Sequence, residues 1–203
     1  MNCRSLKKHH QDILTDSLLI KSDLLALQET WLNDDEDKEE LGILGYELSI
    51  NSMGKGKGIA TYYRKDKFRH VANIKKTDVQ MSKFSSDTLD VVVLYRSQQG
   101  NKQEMNQLIR KLENVHIPLL VIGDFNFPYL EEGANSTKQF FTANKYSQLI
   151  REPTHIEGNI IDQAYFRDET GLMEITTETQ TKYYSDHRGI AVVARSNMGA
   201  INC

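Results

Sequence analysis

Acidic, amide and imidazole side chains stand where short apolar runs end. Leu24-Leu25-Ala26-Leu27 runs into Gln28-Glu29-Thr30-Trp31-Leu32. Leu119 to Ile122 runs into Gly123-Asp124-Phe125-Asn126, Ile160-Ile161 leads to Asp162, and Ser185-Asp186-His187 precedes the run Gly189 to Ala194. A carboxylate at the end of a buried strand is well placed to be fixed in a cleft. Glu29, Asp124, Asn126, Asp162 and Asp186 offer hard oxygen donors that suit Mg²⁺ or Mn²⁺, and no paired Cys or His has zinc spacing. A cation held by one or two carboxylates can polarise a phosphodiester. Asp124 and Asn126, two residues apart, are expected on one side of an extended segment, one activating a water and the other orienting the phosphate. His187 beside an acid can be held in one tautomer and can stabilise charge on a phosphate oxygen.

The elements that must position these groups follow from the apolar pattern. Buried strands are expected at Leu24–Leu27, Ile59–Tyr63, Leu89–Tyr95, Leu119–Ile122, Ile160–Phe166 and Gly189–Ala194. Val91-Val92-Val93 is β-branched, which suits a pleated surface. Met105, Leu108, Ile109, Leu112 and Val115 recur at helical spacing. Ser136 and Gln139 have the spacing of a capping box, with Phe140, Phe141 and Tyr146 on the buried face that follows. An early helix is expected over about Leu6–Leu19. No helical pattern separates Ile59–Tyr63 from Leu89–Tyr95, which favours a layered α+β fold over a doubly wound parallel sheet.

Composition narrows the rest. The chain has 203 residues, 39% of them in the apolar types and 26% charged, which is ordinary for one globular domain and unlike a disordered chain, a collagen or a coiled coil. No apolar run approaches the roughly 18 residues of a membrane span. Cys3 and Cys203 stand near the two ends and offer no disulfide framework, so a reducing, intracellular setting is expected. With 25 basic and 28 acidic residues the net charge is −3, so contact with phosphates requires metal ions or a local patch. Patch candidates are Lys7-Lys8-His9-His10, Lys55 to Lys67 and Lys75-Lys76; Asp34 to Glu40 reads as a solvated acidic stretch.

Taken together, Leu27-Gln28-Glu29-Thr30-Trp31, Gly123-Asp124-Phe125-Asn126, Ile161-Asp162 and Ser185-Asp186-His187 resemble the motif series of the endonuclease/exonuclease/phosphatase superfamily, in that family's order. Asn2-Cys3-Arg4-Ser5-Leu6 is similar to its first motif, and Val93-Leu94-Tyr95-Arg96 to the motif whose Tyr reaches the phosphate. The likeness covers residues 2 to about 195. Glu29-Thr30-Trp31-Leu32, Gly56-Lys57-Gly58-Ile59-Ala60 and Pro153-Thr154-His155 leading to Gly158 and Asp162 further resemble the apurinic-like endonuclease domains of mobile elements, either non-LTR retrotransposons or Helitron-like helicase fusions.

The resemblance implies a four-layered α/β/β/α sandwich, with two mixed sheets face to face and helices outside, in a single domain over 1–203. It implies Mg²⁺ (or Mn²⁺) as cofactor and DNA as substrate, nicked to leave a 3′-hydroxyl and a 5′-phosphate. Glu29 would bind the metal, and Asp124 would orient or deprotonate the water that Asn126 positions. Asp162 would pair with His187, which binds the scissile phosphate. Asp186 would act at the metal or on the leaving group. Asn2 and Tyr95 would hold phosphate oxygens, and Asn2 would also order the metal's surroundings. A nuclear setting, a helicase or reverse transcriptase in the same polypeptide, and no membrane partner are expected. Other phosphoesterases of the fold, such as a deadenylase or a phosphoinositide phosphatase, and a silent DNA- or partner-binding domain are the alternatives.

Some features depart from the family pattern. A strand normally precedes the Asn of the first motif; here one residue does, so a fragment of a longer polypeptide is expected, with an open sheet edge and the Met1 amino group near the metal site. Ser97 stands where the family has Pro. The short chain leaves little room for DNA-gripping insertions, so sequence-specific cutting is not expected. Gly54-Lys55-Gly56-Lys57-Gly58 reads as a glycine-rich turn before a strand, not a P-loop. Trp31 reads as core, His155 as a surface or structural side chain, and Cys3 as having no redox role.

Overall fold

The computed structural model describes residues 1–17, 19–33, 38–53, 56–114, 116–129 and 136–197. Expectations for Asp34–Asp37, Gly54, Lys55, Val115 and Cys203 lie outside the described residues. In chain order the elements are α1 (Leu6–Thr15), β1 (Leu24–Gln28), β2 (Glu47–Asn51), β3 (Ile59–Tyr63), β4 (Arg69–Lys75), β5 (Val79–Ser85) and β6 (Asp90–Arg96). Then follow α2 (Lys102–Leu112), β7 (Leu119–Asp124), α3 (Ser136–Ala143), β8 (Ser147–Gln148), β9 (Asp162–Arg167), β10 (Met173–Gln180) and β11 (Gly189–Ser196).

Three sheets form, in the orders β4-β5-β6-β7-β9-β8, β1-β3-β2 and β10-β11. The six-stranded sheet is mixed, because β6 and β7 run parallel while its other pairs are antiparallel. Its central strands are buried on both faces, and the period-2 alternation sorts their side chains. On one face Val92, Leu94, Leu119 and Val121 pack under Met105, Leu108 and Ile109 of α2 and Phe140 and Phe141 of α3. On the other, Val91, Val93, Tyr95 and Leu120 meet Leu24, Ala26 and Ile59 of the three-stranded sheet, and Ile190 and Val192 of the β10–β11 hairpin. The far face of the three-stranded sheet carries Leu25, Leu27, Ala60 and Tyr62, covered by Leu6 and Ile13 of α1. The order is therefore helix, sheet, sheet, helix, the expected four-layered sandwich, with the smaller β layer divided into a three-stranded sheet and a hairpin.

Local chemistry sets the element ends. Asn101 caps α2 by accepting from the backbone N–H groups of Gln103 (2.8 Å) and Glu104 (3.1 Å). The early helix is shorter than expected: α1 stops at Thr15, Asp16 turns extended, and its carboxylate accepts from Leu19 N (3.3 Å) to open a separate 3₁₀ turn, Leu19–Lys21. α3 begins at Ser136 itself. Met1 to Cys3 runs parallel to β1, with Gln28 N donating to Met1 O (3.0 Å) and Cys3 N to Gln28 O (2.9 Å). The Met1 amino group donates to Ala26 O (2.9 Å) and Gln28 Oε1 (2.6 Å). Among the described residues no helix is long and apolar enough to cross a membrane.

Candidate active site

Topology alone gathers most of the candidate residues at one end of the sandwich. Because β6 and β7 are parallel, Tyr95 and Asp124 are register partners; because β7 and β9 are antiparallel, Asp124 and Asp162 are too. The three form a row across adjacent strands. Alternation aims them at the smaller β layer, alongside Val93, Leu120 and Ala164. From that layer Asn2 bridges Gln28 at the end of β1, placing Glu29 opposite the row. Ser185-Asp186-His187 enters from the segment before β11, tied by Ser185 Oγ donating to Asn2 O (2.8 Å) and by His187 N donating to Ser185 Oγ (3.0 Å).

The close approach of β6 and β7 depends on Gly123. A Cβ there would stand 1.8 Å from Leu94 O, so only glycine fits before Asp124. Two other site residues sit in the left-handed region: Glu29 (φ 51°) and Asn126 (φ 50°). Asn126 corrects an expectation. It does not continue an extended segment; the chain turns, and Asn126 N donates to Asp124 Oδ1 (2.9 Å) while its Nδ2 donates to Arg96 O (2.9 Å). Arg96 locks this turn. Its buried guanidinium donates to Phe125 O (2.7 Å), Asn126 O (2.8 Å) and Gly100 O (2.6 Å).

The polar groups form one network. His187 Nδ1 lies 2.7 Å from Asp162 Oδ2, and both side chains are buried. Asp162 is in turn fixed by its backbone: Asp162 N and Ile161 N donate to Thr154 Oγ1 (3.0 and 3.1 Å). Asn2 Nδ2 donates to Asp124 Oδ2 (3.2 Å), lies 3.4 Å from His187 Nε2, and also reaches Glu29. Asp186 Oδ2 is met by Arg4 Nη2 (2.5 Å) and His155 Nε2 (3.2 Å), and its Oδ1 lies 4.0 Å from His187 Nε2.

Charge crowding shifts these groups. Burial, then the neighbouring Asp162, pushes the Asp124 carboxyl up to about 8, and Glu29 adds to the effect. Burial likewise raises Glu29, partly offset by the Asn2 hydrogen bond and by His187 and Arg4. For His187, burial opposes charge, but the hydrogen bond and charge of Asp162, with Asp124 and Asp186, raise it overall. Two buried carboxylate oxygens, Asp162 Oδ1 and Asp186 Oδ1, have no hydrogen-bond partner among the described residues. Crowded acids, a carboxyl raised by burial and by its neighbours, and bare buried oxygens suit a divalent cation with oxygen ligands. Polar atoms of Asp124, Asp162 and His187 lie within 4.8 Å of one another, as do those of His155, Asp186 and His187, so the acids and imidazoles share one crowded space. Glu29 faces Asp186 across the same space, and the Asp186 charge adds slightly to the rise in Glu29.

The structure thus brings together Asn2, Glu29, Asp124, Asp162, Asp186 and His187. Tyr95 lies in the wall: it is buried, its hydroxyl donates to Gly56 O (3.1 Å), and burial raises its pKa, with Glu29 and Asp124 contributing. Two sequence readings change. Trp31, at φ 58°, is turned outward and is 39% exposed, while Leu32 takes the buried place. His155 meets Asp186 directly and packs edge-on against the His187 ring at 5.0 Å. Arg4 and Thr154 had no sequence signal beyond their place inside matching phrases. Of the basic patches, His9 is buried and pairs with Asp12 (2.8 Å), and Lys57 pairs with Asp78 (3.1 Å). Burial pushes the Cys3 thiol up to about 12, consistent with an inert core residue.

Known proteins share this architecture. The endonuclease domain of TRAS1, a telomere-specific non-LTR retrotransposon, superposes with a TM-score of 0.72 at 13% identity, over 97% of this chain and 96% of that one. An AP endonuclease from Archaeoglobus fulgidus gives 0.71 at 15% identity, over 95% and 96%. The human Nocturnin catalytic domain gives 0.64 at 16% identity, over 95% and 92%. No curated protein matches the chain in sequence. Residues 1–187 match the Endonuclease/Exonuclease/phosphatase family. With that match spanning the site from Asn2 to His187, the chain belongs to the endonuclease/exonuclease/phosphatase family and has its phosphoesterase fold.

Proposed function

We propose that this chain is a divalent-metal-dependent DNA endonuclease that nicks a strand, leaving a 3′-hydroxyl and a 5′-phosphate. In this reading it is one domain, over 1–203, of a longer mobile-element polypeptide that also carries a helicase or reverse transcriptase and acts in the nucleus. The observation that carries the hydrolytic reading is the Asp162–His187 pair, 2.7 Å apart, beside Asn2, whose Nδ2 lies 3.4 Å from His187 Nε2 and donates to Asp124 Oδ2 at 3.2 Å, with Glu29 and Asp186 across from them. The likeness to a retrotransposon endonuclease domain and to an AP endonuclease supports DNA as the substrate.

Each side chain has a chemical part. Glu29 and Asp186 would hold Mg²⁺, or Mn²⁺ in its place, with Asn2 ordering the surroundings. The cation supplies Lewis-acid polarisation of the phosphodiester. Asp162 holds the His187 proton on Nδ1 and favours the imidazolium, so Nε2–H points toward the phosphate. His187 Nε2 and Asn2 Nδ2 then present two donors 3.4 Å apart. Two donors cannot satisfy each other, but both can hold a phosphate oxygen. Asp124, with Oδ1 bonded to Asn126 N and Oδ2 to Asn2, is oriented to take a proton from the attacking water. Neutralising nearby acids by cation binding would return Asp124 to its ionised form at neutral pH. Asn126 sets the water's position through the turn it forms, and Tyr95 supports the wall nearest the phosphate.

The substrate class is tested by offering supercoiled plasmid, poly(A) RNA and a phosphoinositide in parallel with Mg²⁺. Nicked plasmid whose ends are extended by a DNA polymerase supports the reading. Release of adenylate or inorganic phosphate, with DNA untouched, would assign the other phosphoesterase chemistries of the fold.

A further inference from the structure

Asp186 is the acid whose two oxygens are treated most differently. Oδ2 is held by Arg4 Nη2 at 2.5 Å and by His155 Nε2 at 3.2 Å. Oδ1 is buried, has no hydrogen-bond partner, and faces His187 Nε2 at 4.0 Å. We infer that His155 is a positioning residue that, by holding Asp186 Oδ2 jointly with Arg4, reserves Oδ1 as the cation-facing oxygen.

The turn that carries His155 is built for this. Thr154 N and His155 N both donate to Asn159 O (2.9 and 3.0 Å), and Gly158 N returns to His155 O (3.0 Å). The turn is stitched to the segment before β11 by Arg188 N donating to Thr154 O (2.7 Å) and Ile156 N to Asp186 O (3.1 Å). The His155 ring is therefore anchored to the residue it serves. Both ring nitrogens have partners: Nδ1 meets Glu157 N (3.3 Å) and lies 3.7 Å from the Glu157 carboxylate, while Nε2 is aimed at Asp186 Oδ2 (3.2 Å). With both ring nitrogens occupied, His155 does not serve as a metal ligand itself. The same turn fixes Asp162 through Thr154 Oγ1, so one short loop orients the acid of the His187 pair and the acid of the cation site.

An Arg alone would not do the same. The Arg4 side chain is 53% exposed, and an exposed ion pair is weak and mobile. The His155 side chain is 14% exposed and locked by packing against His187, so it contributes direction where Arg4 contributes charge. Partners that orient a metal-binding side chain typically matter about 10- to 100-fold in metal affinity.

The inference rests on the metal-dependent reading above, and its test separates the two. Mn²⁺ binding to the protein without DNA is measured by calorimetry for the wild type, His155→Leu, which keeps volume but no donor, and His155→Gln, whose amide can still donate. Thermal melting in EDTA checks folding, and nicking is followed against Mg²⁺ concentration. Expected for His155→Leu is a loss of Mn²⁺ affinity of about 10-fold or more and a matching rise in the Mg²⁺ needed for half-maximal nicking. At saturating Mg²⁺ its kcat stays close to wild type, and His155→Gln recovers most of the affinity. Wild-type Mn²⁺ affinity in a folded His155→Leu protein would overturn the inference alone. If His155→Leu does not fold, failure of a folded His155→Gln to bind Mn²⁺ near the wild-type level overturns it. Absence of Mn²⁺ binding by the wild type would overturn the metal-dependent reading, and this inference with it.

Discussion

Asp124 and Asp162 are direct cross-strand partners on β7 and β9, so two buried carboxylates face one position of the sheet from neighbouring strands. Like charges in such a pair are destabilising. The strain shows in Asp124, pushed up to about 8 by burial and then by Asp162. A sheet selected for stability alone would not hold this pair; one that binds a cation and a phosphate makes use of it.

The cost is measurable in metal-free protein. Asp124 takes up a proton more readily folded than unfolded, so its contribution to stability is full below about pH 4 and is lost as pH rises to about 8. Asp124→Asn removes that slope. The melting temperature of the variant in EDTA should therefore gain on the wild type between pH 4 and 8 and then hold a constant lead. The lead should be several degrees, at roughly 2–4 °C per kcal/mol for a chain of this size. A pH scan of melting temperature for the two proteins checks this.

Gly123→Ala should be severely destabilising. The added methyl would meet Leu94 O at 1.8 Å within the parallel β6–β7 ladder, where both backbones are held by pairing. A loss of about 3 kcal/mol or more is expected from such overpacking. Urea unfolding reads it directly.

Thr154→Val keeps the shape and removes the acceptor of two backbone N–H groups, Ile161 N and Asp162 N. Leaving buried donors unpaired costs about 1–3 kcal/mol each at most. The same change frees Asp162, so nicking should fall further than stability implies. Urea unfolding and nicking rates compared on one protein batch separate the two effects.

Asp162→Asn should leave the fold intact while disarming His187. An amide in place of the carboxylate removes the charge that raises His187 and leaves at best a weaker, neutral hydrogen bond, so the imidazole loses its preference for the protonated form. A fall in nicking of about 100-fold or more is expected. The His187 titration, followed by NMR, should move downward in the same variant.

Glu29, Asp124, Asp162 and Asp186-His187 were legible in the sequence because each lies at the margin of an apolar run, and strand ends are where a layered fold gathers its polar groups. Strands β1, β3, β6, β7, β9 and β11 were legible for the same reason. Others were not. β4 (Arg69–Lys75) is largely exposed at a sheet edge, and β10 (Met173–Gln180) alternates with an exposed face, so neither shows a continuous apolar run. β2 is polar at its start and middle, and its burial comes from the sheet it joins. Arg4 was invisible because its partner, Asp186, lies 182 residues away. Trp31 read as core because it follows a buried strand; two left-handed residues, Glu29 and Trp31, reverse that. His155 read as structural because nothing in one sequence reveals that a turn will fold back onto Asp186.

Nicking of supercoiled plasmid by the purified protein tests the proposed chemistry most directly, with Mg²⁺ against EDTA and with Asp124→Asn and His187→Ala beside the wild type. The geometry predicts nicking with Mg²⁺, none with EDTA, and a loss of about 100-fold or more in both variants. Wild-type rates in either folded variant, or nicking that survives EDTA, would contradict it.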